Sequence, residues 1–247
     1  MSDFRERIYQ QYTGARGSNR APITIQSLEA RAPVFRKIIR EHFPPERSAV
    51  VIDLGCGHGA FIHFILQAGY RNVIGVDSSK EQIKVAKLLG LEVVVAEGDL
   101  LQTLRSLPEN SHDVVVAFDV IEHFTKDELL KFSDEVHRVL RMGGRWIIHA
   151  PNGESPFVGS VLYGDITHEL AFTRGSLTQV LQASGFTEIN CYEDQPIAHG
   201  VKSGLRLIIW LAFRMVLRFF ITVQTGERGK NYILTQNFLT VVCKTKN

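Results

Sequence analysis

A chain of 247 residues, 45% apolar and 22% charged, has an ordinary globular composition and can bury one core without disulfides. Its formal net charge of +2 supplies no global field for nucleic acid, so no nucleic-acid partner is expected. Cys56, Cys191 and Cys243 fit neither a zinc-site spacing nor a disulfide framework, which points to a reducing, cytoplasmic setting.

The first residues, MSDFRERIYQQYTG, lack the apolar core of a signal peptide. Residues 1–44 read as helical cover, with an amphipathic stretch from about Ile25 to His42 closed by Pro44-Pro45. The main domain then spans 45–247. From residue 49, short β-branched runs alternate with amphipathic segments. The runs are 49–54, 73–77, 92–97, 113–120 and 145–150; the helical segments are 59–68, 79–89 and 125–140, the last broken by Met142-Gly143-Gly144. Nearly continuous apolar strands alternating with helices predict βαβ units and a parallel sheet covered on both faces. Beyond 151 come a loop-like stretch (151–168), a helix (173–184, with Thr173 as its N-cap), a strand (186–193), an apolar-basic segment (203–222) and a final strand (232–244).

The sharpest motif is Asp53-Leu54-Gly55-Cys56-Gly57-His58-Gly59, which follows a strand and opens a helix. Glycines at 55, 57 and 59 let the backbone turn and approach a ligand closely. On their own they are ambiguous, because Gly55, Gly57 and Ala60 also satisfy the dinucleotide-binding pattern. Asp77 ends the next strand, at a spacing suited to bonding ribose hydroxyls, and Ser78 follows it. Glu97-Gly98-Asp99-Leu100 ends the third strand.

In this order the motifs resemble those of class I S-adenosylmethionine (SAM) dependent methyltransferases, over about residues 30–193. The resemblance implies a doubly wound, mostly parallel seven-stranded sheet of order 3-2-1-4-5-7-6, whose last strand, 232–244 here, is antiparallel. It implies SAM as cofactor. Asp53, Gly55, Cys56, Gly57 and Gly59 would meet its amino-acid end, Asp77 and Ser78 its ribose, and Asp99 and Leu100 its adenine, with Asp119 beside them. Stand-alone bacterial methyltransferases of saccharide and envelope biosynthesis have a similar whole-chain layout.

On the acceptor side, Asp119-Val120-Ile121-Glu122-His123 resembles the E-x-x-E-H pattern of ubiquinone-pathway O-methyltransferases, which is linked to a divalent metal. Asp119 replaces the first Glu, and no metal is assigned here. Asp165-Ile166-Thr167-His168 brings a second histidine. Glu122, His123 and His168 are the catalytic candidates, each histidine having a pKa class suited to a base near neutral pH. Pro151-Asn152 either lines the acceptor pocket or forms a turn, and His149 reads as a core histidine. The expected reaction is O-methylation of a small or glycan-like hydroxyl acceptor, lipid-linked if 203–222 meets a membrane. Quinone or other small-metabolite methylation is the alternative. An NAD(P)-dependent oxidoreductase would need a catalytic Tyr/Lys or Cys/His set that is not found, and a catalytically silent SAM-binding module is the third class.

Residues 203–222 carry Arg206, Arg214 and Arg218 among aliphatics and aromatics. No uncharged run long enough to span a bilayer is read there. A helix at the inner membrane surface, a helix in the protein's own core or lid, and a homodimer interface all fit the pattern.

Overall fold

The computed structural model describes Ile8 and residues 24–92, 94–226 and 232–245. A 3₁₀ turn, Ile25–Arg31, leads into α1 (Ala32–His42), which has proline in its first turn. There follow β1 (Val50–Leu54), α2 (Ala60–Gln67), β2 (Asn72–Asp77), α3 (Lys80–Ala86), β3 (Val95–Glu97), α4 (Leu100–Ser106) and β4 (His112–Phe118). The second half holds α5 (Lys126–Val139), β5 (Leu140–Pro151), the short α6 (Gly159–Leu162), α7 (Arg174–Ala183), β6 (Glu188–Glu193), α8 (Val201–Thr225) and β7 (Asn237–Cys243). The sheet order is β3-β2-β1-β4-β5-β7-β6. β1 to β5 pair in parallel, and β7 runs antiparallel to both β5 and β6, as expected.

Side-chain alternation along the strands divides the core into two layers. Val114 and Val116 of β4 join Phe35 of α1, Phe61 and Phe64 of α2 and Ile83 of α3 on one face. Val115 and Ala117 join Leu104 of α4, Phe132 and Val136 of α5 and Leu177 of α7 on the other. The sheet is thus buried on both sides, which is why its strands read as apolar runs and not as alternating patterns. Capping boxes fix two helix starts: Thr125 with Glu128 for α5, and Thr173 with Ser176 for α7.

Three local expectations change. The strand after α5 begins at Leu140, ahead of the two glycines, because Leu140 pairs with His112 and Arg145 with Val114, and the residues between form a bulge with Gly143 at φ +79°. The segment 100–106, not anticipated, is a helix capped by Asp99, whose Oδ1 accepts from the Gln102 amide at 2.8 Å. The segment 203–222 extends to a 25-residue helix. Of the expected N-terminal cover, 1–7 and 9–23 lie outside the described residues. The described part packs on the α2 face through Leu28, Phe35, Ile38 and Ile39.

Candidate functional site

The parallel strands all end on one side, and the open crevice beyond β1, β2, β3 and β4 encloses about 420 Å³. That lies within the range of about 300–1,000 Å³ usual for small-molecule sites. Its walls include Gly55, Gly57, His58, Asp77, Ser78, Asp99, Leu100, Asp119 and His123.

The glycine loop explains its own composition. Gly55, Gly57 and Gly59 all have positive φ, at +76°, +54° and +78°. A Cβ on Gly55 would come 2.3 Å from Val120 Cγ2, and one on Gly59 would come 2.5 Å from Leu91 Cδ1. The loop is held against β2 by the Gly55 amide, which donates to Val76 O at 2.7 Å. It is also held by the Gly57 amide, which donates to Asp77 Oδ2 at 2.7 Å. Asp77 Oδ1 accepts from the Ser79 amide at 2.7 Å, so one carboxylate fixes the β1 loop and the start of α3 together. Burial raises the Asp77 pKa, against the pull of these two amides. Beneath the loop, Asp53 is only 2% exposed, and burial with Asp77 nearby pushes its carboxyl up to about 7.

Not every expected cofactor residue reaches the crevice wall. Cys56 is buried in the α2-side core, and burial pushes its thiol up. Asp53 likewise lies under the loop and not on the wall. The crevice gains residues that sequence reasoning passed over: Gln82, Arg105, Phe124 and Phe132. Gln82, Arg105 and Phe124 lie in or just before the helix that follows each strand, which is the signal that could have found them.

Asp119 follows β4 with φ +54°, a left-handed conformation that Asp tolerates. Its Oδ1 meets His149 Nδ1 at 2.6 Å, and His149 Nε2 lies 3.4 Å from Asp194 Oδ2. Burial works against a charged His149, but the two carboxylates outweigh it and raise the pKa to about 10. His149 is therefore an ion-paired link between the crevice and the residue after β6, and not a neutral core histidine. No local sequence signal reveals this, because its partners come from distant segments.

Beside the crevice, Ile121–His123 form a 3₁₀ turn that buries Glu122 to 1% exposure. Glu122 Oε2 has no hydrogen-bond partner among the described residues, while Oε1 lies 4.0 Å from His168 Nε2. Burial, then Asp119, raises the Glu122 pKa. His168 Nδ1 bonds Val161 O at 3.1 Å. His123 Nδ1 bonds Thr167 Oγ1 at 3.0 Å, and Thr167 Oγ1 in turn donates to Asp165 Oδ1 at 2.7 Å. Burial and then the neighbouring His168 lower the His123 pKa to about 4. The two imidazole rings sit 4.7 Å apart. Glu122, His123 and His168 offer ligand atoms all within 4.8 Å of one another. The fold thus brings together the three catalytic candidates from segments 44 residues apart, counting from His123 to Thr167. Asn152 does not join them. It is 1% exposed, and its Nδ2 donates to Ile233 O and Thr235 O at 2.7 and 2.8 Å, so it builds a turn.

Residues 51–144 match a family described as a methyltransferase domain. A probable S-adenosylmethionine-dependent methyltransferase from Mycolicibacterium smegmatis is 32% identical over 136 residues, covering 55% of this chain and 51% of that protein. A ubiquinone biosynthesis O-methyltransferase from Chelativorans sp. is 27% identical over 116 residues, covering 46% and 45% of the two chains. The chain thus spans about half the length of these curated relatives. In structure it is similar to a SAM-dependent methyltransferase from Archaeoglobus fulgidus, with TM-score 0.63, 22% identity and coverage of 87% and 94%. The sheet order is that of the SAM-dependent methyltransferase fold, and residues 51–144 match a methyltransferase domain. SAM is the cofactor that this domain and fold indicate.

Proposed function

We propose that the chain transfers the SAM methyl group to the hydroxyl oxygen of a small or glycan-like acceptor, lipid-linked and reached at the inner membrane face. The observation that carries this is the buried Glu122–His123–His168 cluster beside the crevice. A good leaving group on sulfur leaves the protein chiefly a positioning task, but a hydroxyl acceptor must also lose its proton. A polar cluster with one carboxylate oxygen that has no partner among the described residues is suited to receive that hydroxyl. In this reading Asp77 and Ser78 meet the ribose, Asp99 and Leu100 the adenine, and the 55–59 loop the amino-acid end. Asp53 acts from beneath the loop, and Asp119, fixed by His149, lines the methyl side. The similarity to a ubiquinone biosynthesis O-methyltransferase supports oxygen as the atom methylated.

A second reading is favoured by the two anchored imidazoles. Their Nδ1 atoms are taken up by Val161 and Thr167, which leaves each Nε2 able to bind a divalent cation together with Glu122. The expected Asp119 does not complete this set, because His149 holds its carboxylate.

The test is SAM consumption with fractionated lipid and saccharide extracts, followed by mass analysis of the product. Glu122→Gln and His168→Ala should keep SAM affinity and lose turnover about 10²–10⁴-fold. Product methylated on nitrogen or carbon would refute the hydroxyl reading. Full turnover after exhaustive chelation, with no bound metal by elemental analysis, would refute the cation.

A further inference from the structure

α8 leaves the body of the protein with an apolar face that none of the described residues covers. Its most apolar 18-residue window has mean hydropathy 1.7, and none of that window is buried. By length and composition alone such a helix could cross a membrane. Its attachment to the body argues for another placement. Ser203, Leu207, Trp210, Arg214, Leu217 and Ile221 recur at helical spacing and are the less exposed side. In mid-helix, Arg214 Nε forms a 2.7 Å ion pair with Glu193 Oε2 at the end of β6. One residue earlier, Phe213 stacks on Phe157, with centroids 6.0 Å apart. A helix pinned at its midpoint to the sheet edge lies along the body and does not stand away from it.

The opposite side is apolar throughout. Ile208, Ile209, Met215, Val216, Phe219 and Phe220 are each 50–67% exposed. A continuous apolar face of this length is far from the scattered exposed side chains normal on a soluble surface. The charges of the helix are all of one sign: Lys202, Arg206, Arg214 and Arg218, with no Asp or Glu from 201 to 225. Glu193 neutralises Arg214. Lys202 and Arg206 give the face a cationic border, which complements an anionic surface and repels a second copy of itself.

We propose that α8 is an in-plane membrane anchor. Its apolar face enters the headgroup and upper acyl region of an anionic bilayer, and Lys202 and Arg206 lie at headgroup level. This deepens the functional reading above and rests on it for the acceptor. The connection that carries Phe157, held by α8, also carries Val161, whose carbonyl holds His168. The anchor therefore sets the acceptor-side cluster one short connection away from the lipid surface.

The experiment is co-sedimentation of the full chain with phosphatidylglycerol-containing vesicles and with pure phosphatidylcholine vesicles. The expected result is binding to the anionic vesicles that is tighter by roughly tenfold or more and weakened by salt. Lys202→Gln with Arg206→Gln should remove that preference. Ile209→Gln with Val216→Gln and Phe219→Gln should abolish binding to both lipids. SAM affinity, measured on the same proteins, should stay at the parent value. It reports the fold and the cofactor reading separately from the anchor. A Phe219→Trp variant should be quenched most by bromines near the headgroup end of the chains. Parent protein left in the supernatant with both lipids would overturn the proposal. So would equal binding to both, strongest quenching from chain-terminal bromines, or a dimer that the three Gln substitutions dissolve.

Discussion

Asp77 ties the glycine loop to the start of α3 and, in the proposed reading, meets the cofactor ribose. Its carboxylate accepts from the Gly57 and Ser79 amides, both at 2.7 Å, while facing the crevice. Asp77→Ala removes both bonds and leaves two amide donors without their partner. Each bond from an amide to a charged group contributes about 1.5–3 kcal/mol, so a loss of about 3–5 kcal/mol in stability is expected if water replaces them only in part. The same carboxylate is assigned the ribose hydroxyls, and its loss should weaken SAM by a further 1–3 kcal/mol, roughly 5- to 150-fold. Asp77→Asn separates the two effects. The amide oxygen keeps one backbone bond, its NH₂ opposes the other donor, and a neutral group meets the ribose. Urea unfolding measures the first quantity and calorimetric titration of S-adenosylhomocysteine the second. Asp77→Ala with parent affinity would remove Asp77 from the ribose site. Parent stability would show that the two 2.7 Å bonds do not hold the loop.

Further outcomes follow from other parts of the site. Gly55→Ala combines a left-handed φ of +76° with a Cβ 2.3 Å from Val120 Cγ2 and should cost about 2–4 kcal/mol, read as a lower urea midpoint. The His149–Asp119 pair raises the histidine pKa to about 10, so its stabilisation is fully present below the ordinary histidine pKa and is lost as pH climbs through about 10. NMR titration should find His149 still protonated at pH 8, and His149→Gln should flatten the alkaline part of the stability profile. His123 behaves in the opposite sense. Its pKa of about 4 means the folded protein keeps it neutral, and stability from this site falls as pH drops from about 6.5 towards 4. His123→Gln should lessen that acid sensitivity in urea unfolding between those limits.

Much of the cofactor half is legible in the sequence because its signals are local. A strand ending in Asp53, three glycines with forced φ and a helix start within one short segment, and so do Asp77 and Asp99 at later strand ends. The order of the strands is not local, and only the likeness to a known family supplied it. The acceptor half is less legible for the same reason. Glu122 and His168 are brought within 4.0 Å by backbone bonds from Glu169 and Leu170 to Glu122 O, which no periodicity announces. His149 reads as a buried strand residue until Asp119 and Asp194 converge on it. In α8 the arginines suggest a charged stripe, but the fold turns Arg214 inward to Glu193 and leaves the aliphatic side outward.

The antiparallel pairing of β7 with β6 has an evolutionary consequence. Glu193 and Phe238 are register partners, so the chain leaves the sheet after β6 and returns beside it as β7. α8 lies between these adjacent ends. Such an excursion can be lengthened, shortened or exchanged without shifting β1 to β4, whose ends line the crevice. What α8 touches can thus drift by recombination at one joint, while the crevice stays the same.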